Sequence, residues 1–559
     1  METRGRVLAC IAAIAAGSLP AAGMAAQCPA DDHKGAETCI PANSAANQGL
    51  NRPPGAGDDG SRGYAPGDLW QAGGQAWRAT ALAQGAAQWT PVTTSRAPAD
   101  TFGPHAVFAG GPTQMVGGYA GPAVDIETTA GGQTVATTLD IRPDGTLDTA
   151  TLARVLAARD AGTFATVTRV YDQTGHGNHL EATPGHHVVH IGAVQVSGQE
   201  TLSWGENNGP GGFVLPQTLK VPANSFFFGT TGTYASSNSG YSAFPVPLML
   251  GQKGQEFKVF MGSYTLDGFV HVADMRSPDR RTDLIISNDP AAFGLSATPA
   301  GYRLENGNNH AELGGALPEG TFSGGYIGYN ADGGSWFEQG RNTGQWTGIV
   351  IADQAATAGQ EQDFEAAAAV AGDHMPQLRD TVVAIGDSRT EGYGLSDGTN
   401  WPYLMQRYAR YKSYNLAVSG ATTKQMRDMV PAAEKLARQP GRKVAVVFGG
   451  FNDHLHHIGT GETVHNLGQV TKRLRQAGYH IAFLDEAGTQ GAPRKALASA
   501  VEDGKITADT ELDLFLSGEP LANVLDQTKW LADTTHPNQA GHDIIARNVW
   551  QNIADFFKK

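Results

Sequence analysis

The sequence predicts two architectures in one chain: an all-β sandwich in the N-terminal half and an α/β domain with a parallel sheet at the C-terminus. Three observations carry this expectation. First, from about Ala97 to Ile351, short apolar-alternating runs such as TFATVTRVYD, HHVVHIGAVQV, EFKVFMGSY and TDLIISN are separated by Gly, Asn, Asp and Pro clusters. That is the spacing of strands and turns in a β-sandwich. Second, after Met375 the compact apolar runs TVVAIGD, KSYNLAVSG, KVAVVFGG and HIAFLDE alternate with helical stretches such as TTKQMRDMVPAAEKLARQ. Strands alternating with helices give βαβ units and a parallel sheet. Third, 559 residues exceed one ordinary hydrophobic core.

Taken in order, the chain opens with Arg4 and Arg6, an apolar run from Val7 to Ala16, and small residues up to Ala26. This is the layout of a secretory signal peptide (1–26) cleaved before Gln27, and the run is too short for a membrane span. The expected product is exported, to the periplasm or beyond. Cys28 and Cys39 then lie close together in a Pro/Gly/Asp-rich segment, where an oxidising compartment permits a disulfide staple. Residues 27–96 read as a linker with a small strand module, because Gly67 to Val92 alternates aromatics with glycine. The sandwich is assigned to 97–373 and closes on a helix over Gly359 to Asp373. The α/β domain is assigned to 374–559 and ends in a helix, Ala540 to Phe557, with Ile544, Ile545, Val549 and Ile553 on one face.

Composition narrows the function. With 40 Lys+Arg against 54 Asp+Glu the formal charge is −14, which argues against nucleic acid as a partner. Charged residues make up 17% of the chain while glycine reaches 72 residues. This is a turn-rich, sheet-rich chain with a mild surface. The sequence leaves the oligomeric state open.

The chemistry concentrates at strand ends, where open parallel sheets gather their active groups. TVVAI runs into Gly386-Asp387-Ser388, placing a serine at the entry to a helix whose first amides suit a developing negative charge. The second strand ends at Ser419-Gly420, where backbone can approach closely, and the third at Gly450-Phe451-Asn452-Asp453. Near the C-terminus Asp533 precedes His536 by three residues, a spacing that lets the carboxylate fix the imidazole tautomer. The expected catalytic set is Ser388, His536 and Asp533, with the N–H groups of Ser388 and Gly420 and the Asn452 amide as an oxyanion hole. Tyr393, Trp401 and His454 are candidate substrate contacts. His454, His456 and His457 are read as a solvated loop, without the spaced ligands of a zinc site. Asp387 and Asp453 are read as loop-holding groups. A G-x-S-x-G elbow, a Walker loop and a dinucleotide fingerprint are all missing.

In this order the GDS, Gly, GxND and DxxHP blocks resemble the SGNH (GDSL-like) hydrolase family, from Thr381 to the C-terminus. The stretch GDSRTEGYGLSDGTNWPYLMQ is similar to block one of its arylesterase and lysophospholipase-like branch. The resemblance implies a flavodoxin-like α/β/α domain and ester hydrolysis with no metal and no cofactor. In the sandwich, YDQTGHGNHL at Tyr171 to Leu180 resembles the arabinofuranosidase-B-type catalytic domain and the wider concanavalin A/LamG-like jelly rolls. The disulfides and the acidic pair of the former do not map onto this chain, so a carbohydrate-binding or scaffold role is expected there instead of glycosidase activity. The combined expectation is a polysaccharide or oligosaccharide deacetylase. A lipid or aryl esterase, a sugar O-acyltransferase and a non-catalytic glycan-binding protein are its rivals.

Overall fold

The computed structural model describes residues 54–56 and most of 69–557, setting aside mainly 205–210, 234–245, 261–268, 287–291, 329–343, 373–379 and 488–492. The signal-peptide and Cys28–Cys39 expectations lie outside the described residues. No helix among the described residues is long and apolar enough to cross a membrane.

A three-stranded antiparallel meander, Leu69–Ala72, Gln75–Ala83 and Ala86–Val92, comes first. It is followed by a large antiparallel, jelly-roll-like β-domain that runs from Ala106 to Ala352. The core of that domain collects alternate residues of many strands, among them Phe108, Val124, Ile126, Val167, Leu295 and Trp346. Period-two alternation is what one buried face of a strand requires. Glycine is needed where strands approach closely: a Cβ on Gly232 would lie 2.0 Å from the Gln345 carbonyl oxygen. The closing helix spans Ala358–Gly372 and packs Phe364 against Phe227 and Phe102. Another helix, Thr149–Ala157, is capped by the Asp148 carboxylate and was not legible as an element in the sequence.

Within TDLIISN the described residues, 282–286, do not form the expected strand. The strand ends at Arg281, and 282–286 continue as an extended irregular segment held by Thr282 N–H to Val270 O and Val270 N–H to Leu284 O bonds. Its alternation has another cause. Leu284 and Ile286 enter the β-domain core, while Ile285, with Phe269, joins the core of the α/β domain beside Met429 and Ala433. Both faces of this segment are buried because it lies between the two domains.

The C-terminal sheet has five parallel strands: β1 (Thr381–Gly386), β2 (Lys412–Asn415), β3 (Lys443–Phe448), β4 (His480–Leu484) and β5 (Thr510–Leu512). Their order is β2-β1-β3-β4-β5, the doubly wound flavodoxin-like order. Around it lie α1 (Ser388–Glu391), α2 (Trp401–Leu404), α3 (Thr423–Leu436), α4 (Phe451–Leu455), α5 (Thr460–Gln476), α6 (Arg494–Glu502) and α7 (Gln539–Ile553). Successive residues of the central strands serve opposite layers. Val383, Ile385, Ala445 and Val447 face α3 and α5, whereas Val382, Ala384, Val444 and Val446 face α2 and α7. Such two-sided burial explains why these strands read as continuous apolar runs. The terminal helix stops at Ile553 and finishes in a 3-10 turn, Ala554–Phe557, a few residues before the expected boundary.

Candidate active site

In the order β2-β1-β3-β4-β5 the direction of strand addition reverses between β1 and β3, and the carboxyl ends of those two parallel strands open a crevice. Both deliver residues singled out in the sequence. β1 ends at Gly386, where a Cβ would sit 2.4 Å from Thr390 Oγ1 and 2.6 Å from the Phe448 carbonyl oxygen, so only glycine fits. Asp387 caps α1 by accepting the Arg389 N–H, and Ser388 is its first residue, 6% exposed.

The segment after β2 continues beside β1 through Leu416 N–H to Ala384 O and Val418 N–H to Gly386 O bonds. This brings Ser419 and Gly420 level with Ser388. Gly420 has φ +78°, the left-handed region that glycine tolerates. Ser419 donates its backbone N–H to the Glu391 carboxylate at 3.0 Å, and its hydroxyl donates to the same oxygen, tying this loop to α1. From the end of β3, Asn452 is almost buried and gives one amide N–H to the Ala421 carbonyl oxygen at 3.0 Å, which leaves its second N–H.

The loop before α7 supplies the base. Trp530 and Pro537 form a β-bridge, and Leu531 N–H donates to the His536 carbonyl oxygen at 2.8 Å, folding the loop back on itself. Thr534 takes φ +58°, an uncommon conformation for a threonine. The Asp533 carboxylate accepts the Thr535 and His536 backbone N–H groups at 2.9 and 3.0 Å, and meets His536 Nδ1 at 2.6 Å. His536 Nε2 lies 2.8 Å from Ser388 Oγ. Nδ1 carries the proton toward Asp533, so Nε2 accepts from the serine hydroxyl. Partial burial pushes the Asp533 carboxyl up, but the bonds from His536 and Thr535 outweigh it and hold it below the usual value. Below the loop, burial and then the neighbouring His536 push His542 down to about 3, so it stays neutral. His542 Nδ1 accepts the Trp401 backbone N–H at 3.1 Å.

Of the candidate substrate contacts, Tyr393 is 42% exposed with its ring centroid 4.4 Å from that of His536. His454 stands half-buried on α4, two residues beyond Asn452. Two readings need correction. The HLHH segment is not a loop throughout, since His454 is helical and the chain leaves α4 only at His456 and His457. Trp401 does not line the crevice. Asn400 caps α2 and Pro402 follows, which turns the indole into the core against Leu404, Ile545 and Val549 at 0% exposure. Asp453 is buried and accepts from Thr423 N–H and from the Thr423 and Thr463 hydroxyls, joining α3, α4 and α5. Among the described residues no group of three or more His, Cys, Asp or Glu could hold a metal ion.

One part of the site escaped the sequence reading. Arg389, directly after the serine, is completely buried between Asp387 and Glu486. Its Nη2 lies 2.7 Å from Asp387 and 3.0 Å from Glu486, and Phe448 stacks beneath it at 4.3 Å. Burial works to lower its pKa, but the two carboxylates outweigh it and hold the guanidinium charged. The signal was present as an arginine directly after a buried apolar strand and the serine that follows it, with an acid at the end of HIAFLDE.

Residues 384–544 match the family model for the GDSL-like lipase/acylhydrolase family. The C-terminal region is a GDSL-like domain. It is similar to Esterase TesA of Pseudomonas aeruginosa, 26% identical over 182 residues that make up 31% of this chain and 87% of the relative. Among solved structures, a psychrotrophic esterase EstA from Pseudoalteromonas sp. is 19% identical, covering 32% of this chain and 99% of that one with a TM-score of 0.27. An arabinofuranosidase complexed with arabinofuranosyl-alpha-1,2-xylobiose is 14% identical with a TM-score of 0.39. That alignment takes in 49% of this chain and spans 65% of the arabinofuranosidase.

Proposed function

We propose that this chain is an exported serine esterase that removes acetyl groups from a polysaccharide or oligosaccharide. The observation that carries the ester chemistry is the continuous relay from Ser388 Oγ through His536 to the Asp533 carboxylate. In this reading Ser388 Oγ attacks the acyl carbonyl as His536 Nε2 takes its proton. Asp533 orients the imidazole and stabilises the imidazolium that forms. The Ser388 and Gly420 N–H groups and the free Asn452 N–H hold the oxyanion, which is where preorganised donors contribute most. His536 then returns the proton to the departing sugar oxygen, leaving an acetyl group on Ser388. A water, deprotonated by the same nitrogen, releases acetate and restores the serine.

Support for a sugar substrate comes from the jelly-roll-like domain and its YDQTGHGNHL phrase, and support for export from the leader-like N-terminal sequence. Tyr393 beside His536 offers a face for the sugar ring. The test is acetate release from a panel of acetylated polysaccharides, run beside short- and long-chain aryl esters, with wild type and Ser388→Ala. Acetate from a glycan, lost in the variant, is the expected result. Turnover of aryl esters alone would remove the sugar assignment and keep the triad. A lack of Ser388-dependent turnover on any substrate would overturn the hydrolase reading.

A further inference from the structure

Glu391 is 2% exposed and stands at the opposite end of α1 from Ser388, so one helical turn carries both. Burying a carboxylate costs more than burying an apolar side chain of equal size unless the acid is bonded where it lies. The relay through Ser388, His536 and Asp533 does not use this acid. Its Oε2 accepts the Ser419 backbone N–H at 3.0 Å and also the Ser419 hydroxyl. Ser419 directly precedes Gly420, whose N–H is assigned to the oxyanion hole.

The turn that carries Glu391 is held at both ends. The Asp387 carbonyl oxygen accepts the Thr390 and Glu391 N–H groups at 3.0 Å each, and the Ser388 carbonyl oxygen accepts those of Gly392 and Tyr393. The Asn415 and Asn400 amides donate to the Thr390 and Glu391 carbonyl oxygens at 3.1 and 2.8 Å. Glu391 is thus fixed relative to Ser388. On the loop side, the ladder along β1 ends with Val418 N–H to Gly386 O, and the chain is caught again where Asn452 holds the Ala421 carbonyl oxygen. Between these points the Ala421 N–H closes a turn on the Val418 carbonyl oxygen at 3.1 Å, with Ser419 and Gly420 at its tip. Gly420 N–H has no partner among the described residues, as a donor kept for an oxyanion requires. The bonds from Ser419 to Glu391 therefore set where that tip stands relative to the nucleophile.

We propose that Glu391 is a positioning residue for the oxyanion hole, holding Ser419 so that the Gly420 N–H stays aligned with the Ser388 N–H. A single turn then carries the nucleophile, its own donor and the anchor of the second donor. Glu391 acts only through Ser419. The inference rests on the proposed esterase chemistry, with Gly420 as a donor, and it holds whichever acyl group or alcohol the ester contains. Its effect falls on the chemical step. The oxyanion forms in the transition state and is absent from the bound substrate, so lost alignment lowers kcat and leaves KM in place.

The experiment is steady-state kinetics of the full chain on a short-chain aryl ester. Wild type and Ser388→Ala run beside Glu391→Ala, Glu391→Gln, Ser419→Ala and the double variant Glu391→Ala/Ser419→Ala, with thermal unfolding of each as the check on folding. Glu391→Ala should lose about 10–10²-fold in kcat, the scale of a small misplacement at a reacting centre. Its KM should stay within about twofold of wild type. Glu391→Gln, which keeps an acceptor oxygen for Ser419, should recover most of the loss. The double variant should be no slower than Glu391→Ala, because the Ser419 hydroxyl works through the same link. Wild-type kcat in Glu391→Ala, a loss confined to KM, or single losses that multiply in the double variant would each overturn the positioning role and leave the esterase standing. Should Glu391→Ala fail to fold, Ser419→Ala decides: a lower kcat at unchanged KM supports the role, and wild-type kcat overturns it. A wild type without Ser388-dependent turnover would overturn the esterase reading and this role together.

Discussion

Replacing Arg389 with methionine should destabilise the C-terminal domain strongly, and the magnitude follows from its surroundings. The guanidinium is 0% exposed and holds two carboxylates, Asp387 and Glu486, that are themselves 0% exposed. Without it, both acids must stay charged and unpaired, take up protons, or be exposed by unfolding. Breaking a buried ion pair by removing one partner costs about 3–5 kcal/mol, and the lost stacking on Phe448 adds to this. At roughly 2–4 °C per kcal/mol for a domain of this size, the thermal midpoint should fall by about 6–20 °C. Thermal unfolding followed by circular dichroism measures the midpoint, and urea unfolding measures the free energy. The deficit should shrink as pH drops and the two carboxyls become protonated. It should also shrink at neutral pH when Asp387→Asn and Glu486→Gln accompany Arg389→Met. A single Arg389→Met chain within about 1 kcal/mol of wild type at pH 7 would refute the reasoning.

The remaining predictions are more local. Asn452→Ala, which deletes one oxyanion donor, should lower kcat by about 10²–10³ with little change in KM, as steady-state kinetics on an aryl ester would show. Gly386→Ala should abolish activity or folding, because its Cβ would sit 2.4 Å from Thr390 Oγ1 and 2.6 Å from a carbonyl oxygen; a soluble, active variant would contradict the packing. Burial first, then Glu361 and Glu365, push the Glu305 carboxyl up to about 8. The folded state therefore holds a proton that the unfolded chain releases near pH 4.5, and stability should fall as pH rises from about 4.5 to 8. Glu305→Gln should flatten that slope in urea titrations of the β-domain.

Legibility in the sequence followed how strongly a segment's surroundings act on it locally. The strands β1, β3 and β4 could be read directly because both faces are buried, and that demands apolar runs such as Val382–Ile385, whereas β2 is only Lys412–Asn415 and the apolar part of its run, Leu416–Val418, follows the strand. The edge strand Thr510–Leu512 could not, being three residues long with an exposed glutamate at its centre. Asp533 and His536 were legible as a pair because their contact lies within one turn of chain. Their approach to Ser388 depends on the loop fold-back at Trp530 and Pro537, which no local pattern encodes. Trp401 misled because an aromatic beside a glycine-rich loop looks the same whether it lines a crevice or fills a core, and the cap at Asn400 decides between them. TDLIISN showed true strand alternation, but both of its faces found apolar partners in different domains, and no continuous ladder formed. The Arg389 cluster needed Glu486 from a strand far along the chain, so only one half of it was visible locally.

The account's central claim is that Ser388 is the nucleophile and His536 its base. It is tested most directly by exposing the chain to a fluorophosphonate and locating the adduct by peptide mass spectrometry. One phosphonyl group per chain on the peptide containing Ser388 is predicted, forming at a rate that collapses in His536→Ala and is absent in Ser388→Ala. Labelling at another residue, or labelling of Ser388 at the same rate without His536, would contradict it.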